Sequence, residues 1–337
     1  MKNKEIKIID SEVRQVAKEC VQLLRSVDFE QLGISSYNLE YVQRLLPNLE
    51  YYFRIYTDAL LILLKREKTI PASVVDFGGG HGFLSIFLKK LGFEVIYCDH
   101  NPLSIKAATL LKEKLNVEID HLIEGSSAEL QAYCTVNKLK PNYLIATDVI
   151  EHVYDLNIFF ANLYQINPKL KMIFTTGSNP SNPYKVRNLR KAMANIEKSL
   201  YFPMRRDYIQ KNYPTLTEWE SADFARLTRG LTYQDISGEM DIYLQKGTLP
   251  KLRVDSCNTC DPQTGNWTER ILSLKEYRNI LNKNGFKAEF LKGYYNEKRN
   301  VPIQLFAAKI INKFVKYSFS VGRTFCAYLI IKVIPKN

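Results

Sequence analysis

Residues 74–83, VVDFGGGHGF, set an aspartate ahead of four glycines, Gly78, Gly79, Gly80 and Gly82. A glycine-rich turn after an apolar run lets the backbone approach a ligand, and a helix N-terminus behind it offers free N–H groups. The spacing is D-x-G-x-G-x-G, from Asp76 to Gly82. Its last interval is one residue too short for the G-x-G-x-x-G fingerprint of dinucleotide sites, and no G-x-x-x-x-G-K-[ST] phosphate loop is present. A turn without a ligand would leave four glycines in five positions as an unexplained entropic cost. His81, inside the loop, is expected to pack or to face solvent rather than to react. Asp99 closes the run VIYCD, with His100 beside it. A carboxylate at that point can accept from both hydroxyls of a ribose. DVIEH adds Asp148, Glu151 and His152, residue types suited to proton transfer or metal binding.

Elements of the right kind surround these residues. SVVDF, EVIYCD, VEIDHLIEG, NYLIATDVIEH and LKMIFTTGSN read as strands, and helical patterns fall between them. Asn101 and Pro102 make a good cap and first-turn pair for one of those helices. Strand and helix alternate over residues 72–180, which implies an α/β fold with a parallel sheet covered on both faces. Residues 1–70 read as a helical cap that Pro71 ends. Residues 181–270 break the rhythm and read as an insert. Within it, DFARLTRGLTYQDISGEMDIYLQKGTLPK is expected to mix a short helix with strands and turns. The core rhythm resumes at SLKEYRNILNKNGF, so the core comprises 71–180 and 271–337.

The D-x-G-x-G-x-G form resembles motif I of the class I S-adenosylmethionine-dependent methyltransferases. The acid ending the second strand and the D-V-[LI]-E-H turn after the fourth, common in small-molecule members, extend the resemblance. It covers residues 72–180 and, less closely, the last two strands. It implies a Rossmann-like, seven-stranded, mostly parallel sheet with a long insert between strands 5 and 6. It also implies S-adenosylmethionine as cofactor, held by Asp76, Gly78, Gly80, Gly82, Asp99, His100 and Asp148. Where the family often carries an acid for the adenine amino group, this chain has Ser126 and Ser127 in EGSSAEL. A hydroxyl accepts that bond more weakly.

DVIEH further resembles the E-x-x-E-H metal set of ubiquinone-pathway O-methyltransferases and small-RNA 2′-O-methyltransferases. Here Asp148 replaces the first glutamate, and no histidine follows His152. The expectation is therefore catalysis without a metal, with His152 as general base and Asp148 and Glu151 beside it. NPSNPY differs in position from the N-P-[PF]-Y motif of amino-methylating enzymes and is read as a turn. In the insert, Tyr184, Arg187 and Arg190 are candidate contacts to an acidic or phosphorylated acceptor; a solvated helix face weighs equally. Tyr51, Tyr52 and Tyr56 suit a lid over the cofactor or, with more weight, a core stripe.

The formal charge of +12 favours anionic partners and leaves open a merely lysine-rich surface. The chain begins without an apolar leader and has no run long enough to span a bilayer, so a cytoplasmic protein with free thiols is expected. CNTC (Cys257 and Cys260) is only half of a zinc spacing, so no metal is expected there. In the tail, Lys309, Lys313 and Lys316 share one helix face and Ile303, Phe306, Ile310 and Phe314 another. Peripheral membrane contact through 303–319 is thus open, against packing on the domain itself. The expected acceptor is a small molecule or glycan, methylated on a hydroxyl, in a bacterial glycan or secondary-metabolite pathway. The alternatives are an RNA methyltransferase, disfavoured because no nucleic-acid module is recognisable, and a non-catalytic binding protein of the same fold.

Overall fold

The computed structural model describes residues 10–65, 73–251, 257–297, 302–318 and 320–336. The boundary expected at Pro71 lies outside them. The chain divides into two compact units.

The first unit comprises Met1–Val149, Asn157–Thr176 and Lys275–Asn337. It opens with helices α1 (Asp10–Arg25), α2 (Ser36–Leu45) and α3 (Leu49–Leu64). β1 (Ser73–Phe77), α4 (Phe83–Lys90), β2 (Glu94–Asp99), α5 (Pro102–Lys114), β3 (His121–Glu124), α6 (Ser127–Val136) and β4 (Tyr143–Thr147) follow, alternating as expected. After α7 (Leu156–Ile166) and β5 (Lys171–Thr176) the chain leaves the unit for the insert. The seven strands form one sheet in the order β3-β2-β1-β4-β5-β7-β6, completed by β6 (Phe286–Lys292) and β7 (Leu329–Pro335). β1 to β5 are parallel, and β7 runs antiparallel to both of its neighbours. β1 is buried at all five positions, which is why it reads as an apolar run without alternation.

The helices of residues 10–65 are not a separate body. Val13, Cys20 and Leu24 of α1 and Phe53 and Leu60 of α3 share one continuous apolar cluster with Phe87 of α4 and Val74 and Val95 of the sheet. Strand order reverses between β1 and β4, so the connections on either side of them diverge and leave a crevice at the strands' carboxyl ends.

The second unit comprises Ile150–Leu156 and Gly177–Leu274. It holds the following four helices. They are α8 (Pro183–Ile196), α9 (Phe202–Asn212), α10 (Glu218–Leu227) and α11 (Tyr233–Lys246), with a π-helical turn at Glu197–Tyr201. The strands expected across residues 223–251 are absent; α10 and α11 stand there instead. Local chemistry explains the difference: Thr217 and Thr232 cap the two N-termini, and Gly247 ends α11 in a left-handed conformation. NPSNPY likewise ends its turn by starting a helix, with Asn182 accepting from the Lys185 N–H and Pro183 in the first turn.

The chain closes with α12 (Leu274–Lys283), α13 (Pro302–Tyr317) and the short α14 (Gly322–Phe325).

Candidate cofactor and catalytic site

The glycine loop is tied to the end of β2 from several sides. Gly78 N–H donates to the Cys98 carbonyl at 2.7 Å, Gly80 N–H to Asp99 Oδ2 at 2.9 Å, and Tyr97 Oη to the Gly80 carbonyl at 2.7 Å. Gly78 has φ +68°, and a Cβ there would stand 2.5 Å from Val149 Cγ2. Gly80 has φ +53° with open space where its Cβ would be, so the backbone is bare on that side. Asp76, ahead of the loop, is buried and accepts from Ser85 Oγ at 2.7 Å. Burial raises its carboxyl to about 7, against the lowering effect of Ser85 and helped by the nearby Asp99. Asp99 is buried too, its other oxygen accepting from Asn101 N–H at 2.8 Å. His100 is exposed, its Nδ1 3.8 Å from Asp99 Oδ1.

Of the two roles left open for His81, packing or facing solvent, the structure shows packing. It is 5% exposed, and its Nε2–H donates to the Asn38 carbonyl at 3.1 Å. Its ring stacks on Tyr41 with centroids 5.3 Å apart and planes 10° from parallel. Desolvation pulls the imidazole down to about 4, so it is neutral at pH 7. Asn38 in turn donates to the Leu103 carbonyl at 2.7 Å. His81 thus holds α2 against the loop.

That clasp makes one wall of a cleft. Tyr41, Tyr52 and Tyr56 line it together with Gly78, Gly80 and Asp148. Of the three tyrosines singled out on α3, Tyr52 and Tyr56 face this cleft, whereas Tyr51 donates to the Tyr294 carbonyl at 2.9 Å. Tyr41 has no motif around it, and the sequence reading missed it. Asp148 holds a left-handed φ of +54° beyond the end of β4, its N–H bonded to the Thr175 carbonyl. The Tyr41 phenol is pushed up to about 12, first by burial and then by Asp148; Tyr56 is pushed well above its usual value by burial and then by Asp76. The cleft is therefore aromatic and negatively polarised, which suits a cation.

Ser126 and Ser127 both have local partners. Ser126 Oγ caps α6 by accepting from Ala128 N–H and donates to Glu129, completing a capping box. Ser127 Oγ accepts from Asn162 Nδ2 at 3.1 Å.

The other candidates belong to the second unit. His152 Nδ1–H donates to the Trp267 carbonyl at 2.7 Å, which leaves Nε2 as the ring's acceptor. Glu151 is buried and accepts from Gly177 N–H at 3.2 Å. Trp267 is positioned by a short bridge to Cys260 and by its indole N–H on the Tyr154 carbonyl. Tyr184, Arg187 and Arg190 lie exposed on α8. Cys257 and Cys260 are thiols, and Arg229 donates to the carbonyls of Cys257 and Asn258. Among the described residues, no group of three or more His, Cys, Asp or Glu side chains is arranged to hold a metal.

Residues 49–222 match the family described as the methyltransferase domain, just over half of the chain. The chain belongs to that family. S-adenosylmethionine is accordingly its cofactor. A curated relative, the ribosomal protein L11 methyltransferase of Campylobacter hominis, is 36% identical over 73 residues, 22% of this chain. The match spans about a quarter (24%) of that relative's length. Among solved structures, the PH0226 protein of Pyrococcus horikoshii OT3 is 25% identical, with 42% of this chain and 62% of that one covered, at a TM-score of 0.32. A SAM-dependent methyltransferase from Archaeoglobus fulgidus is 13% identical, covering 85% and 100%, at a TM-score of 0.39.

The family's methyl donor carries its charge on a sulfonium, and the cleft fits it in kind. The bare backbone at Gly80 admits close approach, the tyrosine faces and Asp148 favour positive charge, and Asp99 offers a carboxylate.

Proposed function

We propose that this protein is an S-adenosylmethionine-dependent methyltransferase that acts on a hydroxyl of a small molecule or sugar, with His152 as general base. The hydrogen bond from His152 Nδ1–H to the Trp267 carbonyl carries this reading. It fixes the tautomer in which Nε2 has a lone pair, the state a base needs.

The cofactor supplies a methyl group already activated by the positive sulfur to which it is bound. What remains for the protein is to align the acceptor, exclude water and remove a proton. His152 Nε2 receives the hydroxyl proton as the acceptor oxygen becomes nucleophilic. The resulting imidazolium keeps Nδ1–H on Trp267, so no ring flip is needed. Beside the loop, Asp99 would take the ribose hydroxyls, and in the cleft the Gly78–Gly80 backbone would face the methionine end. Arg187 and Arg190, exposed on one helix, suit an acceptor bearing a phosphate or carboxylate.

The test is turnover of candidate acceptors with labelled donor. His152→Ala is expected to lower kcat by roughly a hundred- to ten-thousandfold and to leave donor affinity unchanged. Full activity in that variant removes the base assignment. Asp99→Ala should weaken donor binding itself, by calorimetry. The +12 charge favours RNA as a second acceptor class; RNA binding that falls steeply with salt, with RNA methylated, would select it.

A further inference from the structure

Helix α13 presents three different faces. Ala308, Asn312 and Val315 are buried, and Asn312 is bonded to both the N–H and the carbonyl of Tyr295, at 2.7 and 2.8 Å. That face fastens the helix to its own unit. On another face Ile303, Phe306, Ile310, Phe314 and Tyr317 are between 47% and 82% exposed. Their spacing of three, four, four and three residues makes a continuous stripe. Val321 and Phe325 prolong it, and Phe325 meets the Phe314 ring at 5.4 Å. Seven of the 20 exposed large apolar side chains among the described residues fall between 303 and 325. This concentration makes a patch, unlike the scattered single side chains of an ordinary surface.

Along one side of the helix runs a basic margin. A cavity of about 550 Å³ is lined by Arg54, Lys292, Lys309, Lys313 and Lys316, with Glu297 as the single acid among its lining residues. Lys292 donates to the carbonyls of Lys316 and Ser318, which strengthens positive charge at the helix's C-terminal end.

We propose that α13 docks this protein on an anionic lipid bilayer, lying in the interface with its apolar stripe among the acyl chains and its basic margin on the headgroups. Charge selects this occupant. A second copy meeting the stripe face to face would bring an identical row of lysines with it, whereas a bilayer with anionic lipids supplies apolar and negative surfaces side by side. No described helix is long and apolar enough to cross a membrane, so the helix lies along the surface instead of spanning it. The proposal stands apart from the catalytic reading, because the residues its test alters, on α13, belong neither to the glycine loop and cleft wall nor to the surroundings of His152.

The experiment is co-sedimentation of the full chain with vesicles of phosphatidylcholine alone or mixed with phosphatidylglycerol. Binding is expected only with the anionic mixture and is expected to weaken in high salt. Phe306→Glu with Ile310→Glu should abolish it, and Lys309→Glu with Lys313→Glu should weaken it roughly tenfold or more. All four side chains are exposed, and unchanged thermal melting confirms that the variants fold. In the full chain, Phe306→Trp should add to the emission of Trp219 and Trp267 a component that shifts to the blue on anionic vesicles alone. The proposal falls if the wild type ignores anionic vesicles, or if the Phe306 and Ile310 variant binds them as well as the wild type. It also falls if sedimentation equilibrium finds a dimer that this variant dissociates while vesicles remain unbound, because the stripe then belongs to a second copy. Loss of vesicle binding in millimolar inorganic phosphate, with the apolar variant unaffected, reduces the margin to a soluble-anion site.

Discussion

The two units bury different chemistry. In the first, apolar side chains from α1, α3, α4 and the sheet merge into one large cluster. In the second, the apolar cluster centres on five buried residues, Ile209, Phe224, Ala225, Ile236 and Met240. Among the described residues the most voluminous fully buried side chain is Arg205 of that second unit. It forms an ion pair with Glu197 in the π-helical turn and donates to the Ala225 carbonyl at 3.0 Å. Thr259 donates to the same Glu197 at 2.6 Å. The first unit relies on area removed from water; the second adds to its apolar cluster a buried polar network whose members depend on one another.

That contrast can be broken at its strongest point. Arg205→Ala empties a fully buried site and leaves the largely shielded Glu197 carboxylate without its cation, and is expected to cost about 3 kcal/mol in chemical denaturation. Replacing both partners by Arg205→Met and Glu197→Leu should cost much less, because no charge is then stranded. Equal losses in the single and double variants would show that the packing of these side chains, not their charge, holds the second unit together.

A smaller effect separates the two buried ionisable groups of the first unit. His81 titrates near 4 in the folded state, below its ordinary 6.5, so the unfolded chain binds the extra proton between those values. Its contribution is full above pH 6.5 and is lost as pH falls toward 4. Asp76 titrates near 7, above its ordinary 3.8, so its contribution runs the other way and is lost as pH rises from about 4 to 7. In the wild type the two slopes oppose each other. Asp76→Asn should expose acid lability through His81, and His81→Gln should expose falling stability toward pH 7, each of order 3 kcal/mol. Melting temperature followed from pH 4 to pH 8 reads both; parallel profiles in the two variants would contradict the opposed signs.

The smallest expected effect concerns the tyrosine wall. Tyr41→Ala removes the stacking partner of His81 and should weaken donor binding by roughly 1 kcal/mol. Calorimetry with the donor reads the effect, and unchanged affinity would take Tyr41 out of the donor wall.

Much of the first unit could be read in advance because its physics is local. Strands buried on both faces are apolar runs, the glycine spacing marks a bare backbone, and Asn101–Pro102 marks a helix start. The second unit was legible only as an interruption. Its helices α10 and α11 depend on threonine caps that also occur in turns, and a buried Arg205 looks in sequence like any surface cation. Gly78 and Gly80, which line the cleft, could be picked out from their spacing, and Asp76 and Asp99 as candidates from the resemblance that spacing carries. Tyr41 could not, because it reaches the cleft through the His81–Asn38 clasp, a tertiary contact with no sequence period. The serines at 126 and 127 show the converse: Glu129 three residues on was a visible capping-box signal, and it accounts for the Ser126 hydroxyl.

The strand order has a consequence for self-assembly. A sheet that does not close has two open borders, here β3 and β6. β3 is only four residues long, and β6 carries exposed charges at Lys287 and Glu289. Short and charged borders make poor templates for a foreign strand. The apolar strands between them are thereby shielded from the cross-chain pairing that leads to fibres.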